Sequence, residues 1–173
     1  MISSQPTAAE IFLGFSRNKL LNQYWPRLRA TVEPLTPEQI WWRPNQASNS
    51  IGNLILHLNG NVGQWLVASF NRQPDHRDRP AEFNETRIIP AAELLKKLTA
   101  TIEQSAQVLA RLTEAELLSP YDVQGYHVTG LEAIYQVVEH FGLHYGQITF
   151  IAKCITNSDL AFYPELNKTG RAD

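Results

Sequence analysis

Four stretches of about twenty residues each place apolar side chains at helical steps, and almost nothing in the chain alternates with the two-residue period of a strand. A helix with one apolar side must bury that side against other elements, so four of them in one chain point to an all-α, four-helix bundle. The first stretch, Ala8–Leu28, carries Ile11, Phe15, Leu20, Leu21, Tyr24, Trp25 and Leu28 on one side. Pro26, without an N–H, predicts a kink or break near its end. The second, Ser50–Phe70, opens on Ser50 as N-cap and runs Ile51, Leu54, Ile55, Leu58, Val62, Trp65, Leu66. The third, Ala91–Leu112, is carried by Leu94, Leu95, Leu98, Ile102, Val108 and Leu109. The fourth opens at Thr129-Gly130-Leu131-Glu132, a capping box, and is predicted to reach about Ile155.

The joints are also legible. Thr36-Pro37-Glu38-Gln39 reads as an N-cap, a helix-opening proline and a capping-box glutamine, predicting a short turn up to Trp41-Trp42. Residues 43–49 read as a polar loop. Residues 71–90 hold Pro74, Pro80 and Pro90 among charged side chains and read as a loop of about twenty residues, long enough to cross the bundle and join helices two and three in parallel. Thr113–Glu116 is a further capping box, and residues 119–128 read as a loop or small hairpin. The chain is expected to be a single domain, residues 1–173, with a polar C-terminal tail at 156–173.

Composition narrows the function. The chain has 173 residues, 43% hydrophobic and 18% charged, with net charge -2 and no cluster of Lys or Arg. It offers no electrostatic footprint for nucleic acid and no apolar run long enough to cross a membrane. One cysteine, Cys154, forms no internal disulfide and reads as a small buried residue. With no secretion signal visible at the start, a cytoplasmic location is expected.

The chemistry concentrates on three histidines. His140 and His144 are four residues apart on the fourth helix and stack on one face, close enough for neutral imidazoles to share one ion. His57 lies at the edge of the second helix's apolar stripe, and the three are expected to meet at one divalent metal. The alternative for each is a hydrogen-bonded histidine at the edge of the core. Gln136 and Gln147 share the face of the pair, and Asn53, Asn61 and Gln64 share the edge of His57; Asn61, Gln136 and Gln147 are the expected partners that orient ligands or water. No His-Glu-x-x-His, no Glu-x-x-His, no glycine-rich phosphate loop and no serine-hydrolase signature is present. Three histidines with an open position match catalytic rather than closed metal sites. Gly60 and Gly63, and Gly142 and Gly146, interrupt helices two and four at about 1 kcal/mol each, which suggests close helix packing or a subunit interface. His76 and His127 fall in loops. Arg43, Arg77, Asp78 and Arg79 read as surface charge, unless the crossover folds over the site and offers an arginine to an anionic substrate. Neither Glu139 nor Asp78 is placed convincingly as a general base.

SIGNLILHLNGNVGQW at 50–65 and HFGLHYGQI at 140–148 resemble motifs of the DinB/YfiT-like superfamily, and WWRPN and NRQPDHRDRPAEF resemble one subgroup of it. The resemblance runs from about Ile11 to Ile155. It implies a four-helix bundle with a long crossover between helices two and three, a nickel or zinc ion on His57, His140 and His144, and a homodimer. It also implies a metal-dependent enzyme acting on a small molecule, either a hydrolase or a transferase using a low-molecular-weight thiol. The competing reading is a non-catalytic metal-binding or stress-associated bundle.

Overall fold

The computed structural model describes residues 5–163; residues 1–4 and the rest of the tail, 164–173, lie outside it. The first long helix consists of α1 (Ala8–Asn18), a π-helical turn (Lys19–Tyr24) and α2 (Trp25–Val32). Pro26 does not break it. The Trp25 N–H reaches back five residues to the Leu20 carbonyl, and this widened turn accommodates the missing N–H and the ring of the proline that follows. After the short α3 (Pro37–Trp41), capped by Thr36 and Gln39 as the sequence predicts, the polar loop leads to α4 (Ile51–Val62). Ser50 caps α4 and Asn53 returns the bond to the Ser50 N–H. The same helix continues through a second π-helical turn (Gly63–Ala68) into α5 (Ser69–Asn71).

The crossover is not all loop. It contains α6 (Arg79–Asn84), with Asp78 as N-cap and Pro80 in the first turn. Asn53 fastens this segment to α4: its side-chain amide donates to the carbonyls of Glu82, Phe83 and Glu85 at 3.0, 3.3 and 3.2 Å. Then come α7 (Ala91–Arg111) and α8 (Glu114–Leu118), the latter opened by its capping box. The antiparallel pair β1 (Pro120–Val123) and β2 (Tyr126–Thr129) follows. Gln124 and Gly125 between them both have positive φ, 55° and 80°, as a two-residue hairpin turn with primed geometry requires. The chain then enters α9 (Gly130–Thr156), capped by Thr129 and Glu132.

Leu20, Leu28, Leu54, Ile55, Leu58, Leu98, Ile134 and Phe141 form one continuous core between the four long helices. Cys154 is exposed, not buried, because it falls outside the Ile134–Phe141–Ile148 stripe of α9. Among the described residues no helix is long and apolar enough to cross a membrane.

Candidate metal centre

His57 lies on α4 with 4% of its surface exposed, while His140 and His144 are half-buried on α9. The packing of α4 against α9 brings all three rings together. The Nε2 of His140 is 3.0 Å from the Nε2 of His57 and 3.1 Å from that of His144. All three donor atoms lie within 4.8 Å of one another.

The two separations from the His140 Nε2 suit nitrogens that share an ion. Two nitrogens each about 2.0–2.1 Å from one metal, at angles of roughly 90–109°, are about 2.9–3.4 Å apart. The outer nitrogens agree. The Nδ1 of His57 donates to Glu82 Oε2 at 2.8 Å, and that of His144 donates to Gln147 Oε1 at 2.7 Å. These two rings therefore turn an Nε2 lone pair inward. One Nε2 of His140 cannot serve both neighbours with good hydrogen bonds, so a cation at the convergence satisfies what the protein alone does not. Burial, and then the neighbouring His144 and His57, lower the pKa of His140 to about 3, and burial also lowers that of His144. Both rings are thus held neutral, the form that ligates metal.

The support behind His57 is a feature the sequence reading missed. Glu82 and Arg77 come from the crossover and form a buried two-pronged ion pair, with Arg77 Nε to Oε1 at 2.7 Å and Nη2 to Oε2 at 2.9 Å. Arg77 also donates from Nη1 to Gln64 Oε1 at 2.9 Å. Arg77 is therefore not surface charge. Burial pushes the Glu82 carboxyl up, but hydrogen bonds from Arg77 and His57 outweigh it and hold the group below the ordinary carboxylate range. Gly60 makes room for the pair: a Cβ there would lie 1.9 Å from Glu82 Oε1 and 2.7 Å from Arg77 Nε. The other glycines divide. A Cβ at Gly142 would press on the Tyr24 hydroxyl at 3.0 Å, one at Gly63 would make ordinary contact with Thr101, and one at Gly146 would meet open space. The Asp-Arg-Pro start of α6 was the available sign that the crossover contained a helix able to aim Glu82 inward.

The site opens on a cleft of about 520 Å³ lined by His57, Asn61, Trp65, Gln136, His140 and, on the crossover side, Arg77 and Arg79. Asn61 is buried one turn beyond His57 and its Oδ1 has no partner among the described residues. Gln136 reaches the cleft without bonding a histidine ring, whereas Gln147 is exposed and bonds His144. His76 and His127 are exposed and away from the cluster; His127 pairs with Asp122.

Comparisons with known proteins agree with this architecture. A conserved protein from Enterococcus faecalis superposes with a TM-score of 0.70 at 15% identity, covering 84% of this chain and 97% of its own. A DinB-like protein from Bacillus cereus ATCC 10987 superposes with a TM-score of 0.62 at 12% identity, covering 76% of this chain and 85% of its own. No curated protein matches the sequence. The model of the DinB superfamily matches residues 20–148, a span that contains all three histidines and the crossover, and the chain belongs to the DinB superfamily.

Proposed function

We propose that the protein is a metal-dependent enzyme acting on a small molecule, with His57, His140 and His144 holding one divalent ion, nickel or zinc. The observation that carries this reading is the convergence of three Nε2 atoms on the wall of an open cleft. A divalent ion bound there supplies Lewis acidity, which lowers the pKa of a water or thiol entering its coordination sphere. The chain's own residues do the rest. Glu82 holds the His57 ring in one tautomer, Gln147 does the same for His144, and Asn61 presents an acceptor to whatever enters the cleft.

Hydrolysis and transfer to a low-molecular-weight thiol are both served by such an ion, which would lower the pKa of either nucleophile. The carboxylates that line or back the cleft are committed, so neither chemistry draws on one of them as a base. Glu82 is bound by Arg77 and His57, and Glu132 caps α9 by accepting from the N–H and hydroxyl of Thr129. A thiol ionises near neutral pH once its pKa is lowered. The protein is read as cytoplasmic and homodimeric; the exposed Leu143 and Phe150 beside Gly146 on α9 support a self-association face, which light scattering tests.

Elemental analysis followed by a turnover screen with and without added thiols tests the reading. We expect close to one equivalent of nickel or zinc, loss of turnover on chelation with helicity retained, and loss of metal in His140→Ala. Chelation that only lowers the melting temperature, with no turnover found before it, would favour a purely structural ion.

A further inference from the structure

The ionised side chains around the cleft are Arg77, Arg79 and Glu132. Arg77 is neutralised by Glu82, and Glu132 is occupied as a cap, accepting at 2.7 and 2.8 Å from Thr129. Arg79 differs from both: among the described residues it makes no ion pair and no side-chain hydrogen bond. It is nevertheless placed. Its guanidinium carbon lies 5.0 Å from the centroid of the Phe83 ring, whose centroid is 4.6 Å from that of His57. Stacking uses the flat face of a guanidinium and leaves its N–H edge free for a carboxylate or phosphate.

The far wall has the opposite character. Trp65 and Val128 line it, and Tyr126, Leu131 and Tyr135, exposed by 61%, 39% and 62%, stand around the mouth. Three of the molecule's large exposed apolar side chains thus gather at one opening, which marks a binding surface rather than scattered surface residues. Asn61 lines the same cleft, and its buried Oδ1 has no hydrogen-bond partner among the described residues.

We infer that the cleft takes a small organic anion with an apolar or aromatic body, the Arg79 guanidinium holding its carboxylate or phosphate, Tyr126, Leu131 and Tyr135 covering the body, and Asn61 accepting from a donor on it. The inference names the substrate class of the site proposed above; its chemistry rests on that reading, its binding does not. The attraction is local to the Arg79 guanidinium, which pairs with no carboxylate among the described residues, and any divalent ion held by the histidines would add to the same field.

Calorimetry of the full chain, zinc-loaded and zinc-free, with phenylacetate, phenyl phosphate and the neutral isostere phenylacetamide tests it. At least one anion should bind roughly tenfold or more tightly than the amide, a margin expected of a charged hydrogen bond. Arg79→Gln should erase that preference and leave amide binding unchanged, Arg79→Lys should keep part of it, and rising salt should weaken only the anion. Arg79 is exposed, so the variants should keep their circular dichroism. Equal binding of anions and amide, no binding of any probe, or an unchanged preference in Arg79→Gln would overturn the inference. Zinc content is measured on the same samples. Protein that holds zinc but treats anion and amide alike sinks this inference alone, and protein that discriminates the anion but takes up no zinc sinks the metal reading alone.

Discussion

The two arms of the histidine cluster are held in different ways. His57 is gripped from outside by Glu82, itself pinned by Arg77 and seated against Gly60, all of it buried and drawn from a segment twenty to twenty-five residues along the chain. On α9, His144 leans on Gln147, an exposed neighbour three residues away, and the buried Nδ1 of His140 has no partner among the described residues. One arm is set by tertiary structure and the other by the helix alone. The difference teaches where rigidity resides: α4 and the crossover define the position of one nitrogen, and α9 supplies two more whose relative placement needs only helical spacing.

The comparison can be broken most forcefully at Glu82. Glu82→Gln leaves the Arg77 guanidinium buried without its counter-charge, which should cost about 3–5 kcal/mol of stability. It should also weaken metal binding roughly 10–100-fold through the lost bond to His57. Urea denaturation and competition with a chromophoric chelator measure the two effects separately. Gly60→Ala attacks the same arm sterically. Its added carbon overlaps Glu82 Oε1, and we expect about 1–3 kcal/mol of destabilisation together with weaker metal binding. Unchanged affinity in this variant would show that the ion pair can shift without moving His57.

Acid probes the α9 arm. In metal-free protein His140 has its pKa lowered from 6.5 to about 3, and His144 is lowered too. The unfolded chain takes up protons below about 6.5 that the folded chain refuses, so this stability is complete above that pH and is lost progressively toward pH 3. Glu82, lowered from 4.5, adds a loss in the same direction at the acid end of the window. Urea midpoints at pH 8, 6 and 5 should therefore fall in that order, and a flat series would contradict the burial of the pair. The smallest effect is expected for Gln147→Ala. Its glutamine is exposed and bonds one ring from the surface, so metal affinity should drop only a few-fold and stability by less than about 0.5 kcal/mol. A loss as large as that of Glu82→Gln would erase the distinction between the arms.

Much of this architecture is written locally. Thr36, Ser50, Thr113 and Thr129 each open the helix that the sequence predicts, since a capping side chain needs partners only two or three residues away. The hairpin and the apolar stripes are readable for the same reason. Local rules also misled. Pro26 predicts a kink or break, and the helix is not broken because a π-helical turn precedes the proline. Residues 71–90 read as a loop, yet α6 lies inside it. Arg77 reads as surface charge, yet it is half of a buried pair. Cys154 reads as buried, and it is exposed.

The sequence by itself determined four amphipathic helices, their starts, and three imidazoles at the margins of two apolar faces, because period and capping are properties of a few neighbouring residues. Only the tertiary structure decided that Glu82 and Arg77 stand behind His57, that Gly60 gives them room, and that Arg79 lines one cleft with Tyr126 and Tyr135. The physical reason is that a crossover has no period of its own. Where its charges lie follows from the packing of α6 on α4, and a buried ion pair between segments leaves no pattern along the chain.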